Sequence, residues 1–305
     1  MRTLVVGAGA VGGFFGAHLV EAGRDVTFLV RERRAAALRA DGLTVEKLDG
    51  TLHVEPTAVT KDEIDGPFDL VLLSVKSFAL GQALDDVAPA VGPDTTIVPL
   101  LNGLQHIETL QRRFGADQVV GGLCFVATIL VGDTIRQLSP LNTIMLGELD
   151  GPESPRIQAA HREIEGAGFE AVLSRNILQG LWEKWFILAA GGATTTLLGG
   201  DVGTIERVPF GRETALAIVA ECAAVAAAAG HEPRPAMRAR AEATLTEAGS
   251  DFTTSMFRDQ QQGLEVESDQ ILGDLVRRGQ TAGVSVPLLA AASAALEVYR
   301  AGRGA

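Results

Sequence analysis

Residues 3–23, TLVVGAGAVGGFFGAHLVEAG, restrict the fold more than any other stretch of the chain. A β-branched run ends on Gly7, and the spacing GxGxxG follows through Gly9 and Gly12. A helical pattern then runs from about residue 11 to 22 and stops at Gly23. A strand, a glycine turn and a helix in this order form the start of a βαβ unit. The first glycine serves the tight turn, the second lets backbone approach a pyrophosphate, and the third allows close helix packing. The turn Gly7, Ala8, Gly9, Ala10, Val11, Gly12 is therefore expected to present the helix N-terminus to an anionic dinucleotide.

The remaining pattern extends this beginning into two parts. "DVTFLV" reads as a second strand, followed by extended segments near 51–55, 69–75 and 95–101. The middle one, "DLVLLSV", is apolar on consecutive positions, as a parallel strand buried on both faces requires. Extended stretches near 119–131, 133–138 and 143–148, a helix near 154–166 and a strand near 168–173 complete an α/β half. From about residue 176 the segments become helical and rich in alanine, with glycine or proline at the breaks. The expectation is a dinucleotide-binding α/β domain over 1–174 and an all-helical domain over 175–305.

Composition narrows the function classes. Net charge is −12, and the basic residues are scattered, which argues against nucleic acid or an anionic membrane as partners. No apolar stretch approaches the roughly 20 residues that span a bilayer, and the glycines at the start of the chain argue against a signal peptide. Cys124 and Cys222 lie far apart in apolar segments, as reduced core cysteines of a cytoplasmic protein would, and no metal site is expected from their spacing. The oligomeric state is left open, a homodimer included.

The end of the second strand bears on which dinucleotide binds. An acid there suits the ribose 2′-hydroxyl of NAD, and an arginine suits the 2′-phosphate of NADP. The sequence reads "FLVRERR": Arg31 stands where the acid would be, Glu32 competes one position later, and Arg33 and Arg34 follow. At least one of those last two is expected to be an ordinary surface charge. Two further polar residues follow strand ends, where open parallel sheets bind ligands: Lys76 after "LVLLSV" and Asn102 after "TIVPLL".

Lys184 poses a different problem. It stands in "GLWEKWFIL" between the only two tryptophans, and its helical neighbours Gly180, Leu181, Ile187 and Leu188 are apolar. Of 26 basic residues only Lys47, Lys61, Lys76 and Lys184 are lysine, so the chain uses arginine wherever a generic positive charge suffices. Lys184 either snorkels to water or transfers a proton, which arginine does poorly. Late in the chain, "TTSMFRDQQQGLEVESDQILG" places hydroxyls around Ser255 ahead of Glu265, Glu267 and Asp269, and spacing does not choose among the acids.

Taken together, GAGAVG, "SVK", "LNG", "LWEKW" and this late segment resemble the ketopantoate reductases (2-dehydropantoate 2-reductases), over residues 1 to about 290. The resemblance implies a Rossmann-type domain joined to a helical domain, as in 6-phosphogluconate-dehydrogenase-like folds. It implies reduction of a small-molecule 2-oxo acid by NADPH in the cleft between the domains, a step of pantothenate biosynthesis when the acid is ketopantoate. By position, Lys184 matches the catalytic proton donor, Glu267 the glutamate that binds the substrate hydroxyl, and Ser255 the carboxylate-binding serine. Asn102 and Lys76 match residues of the nicotinamide and substrate region, and Arg31 the 2′-phosphate arginine. The chain departs from the family where substrate-holding asparagines are common: it has Leu188, Gly192 and Leu272 there. That pattern also fits a related reductase or hydroxy-acid dehydrogenase with a less polar substrate. A dinucleotide-sensing protein without turnover would be expected to lack Lys184, Asn102 and Glu267.

Overall fold

A computed structural model describes residues 1–303 of the chain. The first β-branched run forms β1 (Arg2–Val6), whose last four residues are all buried. Turning at Gly7, the chain enters α1 (Ala10–Glu21) and returns through β2 (Asp25–Leu29). Then come α2 (Glu32–Asp41), β3 (Leu43–Lys47), β4 (Gly50–Val54), β5 (Thr57–Val59), β6 (Leu70–Leu73), α3 (Leu80–Val87) and β7 (Thr96–Pro99). Five of these strands form one parallel sheet in the order β5-β2-β1-β6-β7. All residues of β6 and β7 are buried, as the continuous apolar runs require. Strand order reverses between β1 and β6, and the register pairs Val6 with both Leu29 and Leu73, and Leu73 with Pro99. The carboxyl ends of four strands are therefore level at the switch point, where open α/β sheets bind ligands.

After α4 (Gln105–Phe114) come β8 (Gly121–Val131), β9 (Thr134–Gly147), α5 (Pro155–Ile164) and β10 (Glu170–Leu173). A second sheet has the order β10-β9-β3-β4, with β8 also paired to β9. The stretches 133–138 and 143–148, read from sequence as separate, belong to the one strand β9. Ser139-Pro140 lies between them, where the β8 register shifts between Val126 and Thr128. The irregularity accommodates a proline that has no N–H to give the ladder.

The remaining elements are helical: α6 (Ile177–Leu198), α7 (Val202–Arg207), α8 (Gly211–Ala228), α9 (Pro235–Leu245), α10 (Ser255–Gln261), α11 (Asp274–Thr281) and α12 (Pro287–Arg303). A single π-helical turn, Asp269–Gly273, leads into α11. By contacts the chain divides into an α/β unit, 1–101 with 106–177, and a helical unit, 102–105 with 178–305. Phe14, Phe15, Phe28 and Leu70 belong to the core of the first, and Trp185, Phe186, Cys222 and Leu289 are buried in the second. Among the described residues no helix is long and apolar enough to cross a membrane.

Candidate active site

The glycine turn is held tightly between β1, α1 and the end of β6. Gly7 has φ +96°, a conformation that only glycine adopts without strain. A Cβ at Gly12 would run into Ser74 Oγ and the Gly7 carbonyl, so α1 approaches the sheet closely only because that position is glycine. Ser74 Oγ donates to the carbonyls of Val6 (3.0 Å) and Gly7 (3.2 Å), pinning the turn from the end of β6. Gly9 is the N-cap of α1, and no side chain caps that end; nor is there an acid in its first turn. A Cβ on Gly9 would meet nothing within 4 Å. Among the described residues no side chain caps the first amides of α1, and the space beside Gly9 is open, the arrangement a phosphate satisfies. Ala8 is buried beneath the turn, Val11 packs on the core, and the Ala10 carbonyl accepts from Thr128 Oγ1 at 2.9 Å.

Arg31 is the N-cap of α2, and its exposed side chain has no partner among the described residues. Glu32, equally exposed, opens the helix beside it. Arg34 is half-buried and paired with Asp133 at 2.5 Å, whereas Arg33 is exposed. Lys76 follows β6 and opens a 3₁₀ turn, Ser77–Ala79, with its side chain exposed. The turn Gly7–Gly12, Arg31 and Lys76 thus all lie beyond the level carboxyl ends of the parallel sheet.

In the helical unit, Lys184 is 8% exposed, so most of the residue is buried in the apolar setting that its neighbours suggested. Trp185 donates Nε1–H to the Ile271 carbonyl at 2.9 Å, fixing α6 to the π turn. Trp182 stacks on His231 (5.5 Å between ring centroids), and Arg278 lies over both tryptophans. Sequence reasoning missed Glu183, which is only 2% exposed. It accepts from Arg234 N (2.9 Å), Nε (2.8 Å) and Nη2 (2.5 Å), and from Gln179 Nε2 (3.2 Å). Burial pushes the Glu183 carboxyl up, but the Arg234 and Gln179 hydrogen bonds more than offset it and hold the group below the usual carboxylate range. The signal was present: an acid in the same apolar run as Lys184 raises the same question of how its charge is satisfied.

The loop carrying Asn102 groups with this helical unit although it follows β7. Gln270, in the π turn, donates its side-chain amide to the Asn102 carbonyl. Gly103 has φ +78°, and a Cβ there would come within 2.8 Å of the Gln270 carbonyl. The Ile271 amide bonds back to the Glu267 carbonyl at 3.2 Å. One π turn therefore connects Asn102, the residue after Lys184 and the segment bearing Glu267, and π turns commonly mark functional sites. Glu267 is half-buried, and Ser255 is exposed at the first position of α10. Of the substituted positions, Leu188 is half-buried, Leu272 is fully buried in the π turn, and Gly192 packs against Met256.

Residues 3–151 match the family model described as ketopantoate reductase PanE/ApbA, and residues 176–300 match its C-terminal counterpart. The chain belongs to the ketopantoate reductase family. It is 34% identical over 302 residues to an uncharacterized oxidoreductase, YkpB, of Bacillus subtilis, covering 99% of each chain. It is 28% identical to the crystal structure of 2-dehydropantoate 2-reductase from Methylococcus capsulatus, at a TM-score of 0.88 over 100% of this chain and 98% of that one. D-mandelate dehydrogenase, seen with NADH and anilino(oxo)acetate, shares the fold at a TM-score of 0.89 and 21% identity over the full length of both chains. Like ketopantoate reductase structures, the chain is a Rossmann-type α/β domain followed by an all-helical domain, within a family of oxidoreductases.

Proposed function

We propose that the chain reduces a 2-oxo acid to the 2-hydroxy acid with NADPH, ketopantoate being the first candidate. The observation that carries this reading is Lys184, a buried lysine on α6 in a chain that otherwise favours arginine. In this reading residues 1–174 bind the cofactor and 175–305 bind the substrate. The amides at the start of α1 hold the pyrophosphate, with Gly9 leaving room for it and Gly7 and Gly12 shaping the turn. Arg31 takes the 2′-phosphate, and Lys76 and Asn102 line the nicotinamide region. When bound, the dinucleotide supplies hydride to the carbonyl carbon. The developing alkoxide oxygen takes a proton from Lys184 Nζ, which recovers one from solvent. Ser255 holds the substrate carboxylate, and Glu267 accepts from a substrate hydroxyl.

A second reading, a less polar substrate, is favoured by Leu188 and by the buried Leu272, neither of which can hydrogen-bond a substrate through its side chain. Loss of NADPH absorbance with a panel of 2-oxo acids, repeated with NADH, tests both. Turnover of at least one acid with NADPH is expected. Binding of NADPH with no turnover of any acid would leave a dinucleotide sensor.

A further inference from the structure

The face of α6 that carries Lys184 ends beneath α10. At about 100° per residue, Leu188, Gly191, Gly192 and Thr195 continue the stripe begun by Lys184. The start of α10 lies on its far end. Thr254 Oγ1 is 2.8 Å from Thr195 Oγ1, and a Cβ at Gly191 would lie 3.1 Å from Thr254 Cγ2. Met256 covers the next position: a Cβ at Gly192 would meet Met256 Cε at 3.3 Å and Sδ at 3.6 Å. Any side chain at 192 thus requires Met256 to give way. Gly192 is more than the loss of a polar group, because a thioether occupies the space beside it. Met256 is 4% exposed, and Ser255 beside it is exposed. At roughly 1.5 Å per residue, Leu188 lies about 6 Å along α6 from Lys184, and Gly192 about 12 Å.

We propose that Met256 determines substrate specificity, closing the stripe so that the enzyme takes 2-oxo acids with a compact apolar tail. This rests on the reductase reading of Lys184. A substrate whose carbonyl oxygen receives the Lys184 proton runs its tail over Leu188 towards Met256. Neither side chain donates a hydrogen bond there. An unbranched thioether accommodates branched hydrocarbon without demanding one shape, while its contact with Gly192 limits the length of the tail.

The test measures kcat and KM for four acids with NADPH. Ketopantoate and 3,3-dimethyl-2-oxobutanoate differ only by the hydroxyl; 3-methyl-2-oxobutanoate and 2-oxo-4-phenylbutanoate differ in tail length. In the wild type, the deoxy acid is expected to match or exceed ketopantoate in kcat/KM. Met256→Ala should raise the long-to-short ratio of kcat/KM by about tenfold or more, chiefly through KM, and Met256→Leu should keep the wild-type ratio. A purely structural methionine would lower activity on both acids alike, and a ratio within about twofold of wild type in Met256→Ala overturns the proposal. If Met256→Ala does not fold by circular dichroism, Met256→Val is read by the same ratio. A wild type that reduces ketopantoate far better than its deoxy analogue refutes the apolar tail while sparing the reductase reading. No turnover of any 2-oxo acid removes both.

Discussion

Glu183 and Lys184 are adjacent, and both are withdrawn from solvent, but they face different demands. Residues one apart on a helix do not face each other, and the Glu183 oxygens are engaged by Arg234 and Gln179. The carboxylate therefore ties α6 to the start of α9, and in the proposed reaction proton transfer falls to Lys184. Lys184→Ala is expected to lower turnover by about 10²–10⁴ with NADPH affinity nearly unchanged. Lys184→Arg should recover little, because guanidinium keeps the charge and donates its proton poorly; near wild-type turnover in that variant would return Lys184 to a structural role. At the other unit's sheet edge, Arg31 has no partner among the described residues and Glu32 stands beside it. If Arg31 meets the 2′-phosphate, Arg31→Ala should weaken NADPH by about 1.5–3 kcal/mol and leave NADH unchanged in fluorescence titrations. Loss of NADH binding in Glu32→Ala, with Arg31→Ala silent, would assign the position to the ribose hydroxyls instead.

Among the elements, the glycines of the first turn separate folding from binding. Gly12 has no room for a Cβ, whereas Gly9 opens on empty space at φ −82°. Gly12→Ala is expected to destabilise the α/β unit by about 1–3 kcal/mol through overpacking. Gly9→Ala should stay within about 1 kcal/mol of wild type yet weaken NADPH binding, because its methyl enters the space the pyrophosphate needs. Thermal melts and cofactor titration of the two variants read these effects separately, and unchanged NADPH affinity in Gly9→Ala would remove the pyrophosphate from that turn. The contrast shows what the sequence makes legible. The positive φ of Gly7 and the close packing at Gly12 are local and follow from spacing between a strand and a helix, as do β1, β2, β6 and β7. The π turn was not legible, because "VESDQILGDL" repeats its apolar residues as an α-helix would, and nothing local adds the extra residue. The Gln270–Asn102 bond joins positions 168 apart, and Met256 seated on Gly192 depends on how α10 crosses α6. Such pairings are set by tertiary packing, which periodicity does not encode. Ser74 and Glu183 are intermediate cases, since each is a lone polar group in an apolar run and so already asks for a buried partner.

At the scale of the whole molecule, acid should act on both units through the same device. In the α/β unit, Glu148 is paired with Arg156 at 2.5 Å and bonded by Ser154; burial raises its carboxyl, but these contacts hold it below the usual range. Glu183 has the same character in the helical unit, held down by Arg234 and Gln179 against its burial. A carboxyl whose folded pKa lies below its unfolded one is bound more weakly by protons in the native state. Its stabilisation is complete above the unfolded value and is lost as pH falls through the folded one. Both tryptophans, Trp182 and Trp185, flank Glu183, and the chain has no others, so their fluorescence reports the helical unit alone. Glu183→Gln, which keeps the shape and removes the charge, should lower the unfolding free energy read from tryptophan in denaturant at neutral pH by about 1–3 kcal/mol. That deficit should shrink as the pH is lowered below the carboxylate range, because the wild-type carboxyl becomes protonated and approaches the amide in character. A deficit that stays constant from neutral to acid pH would show that Arg234 and Gln179 recognise the side chain's shape rather than its charge. The acid sensitivity of the helical unit would then have to come from another carboxylate.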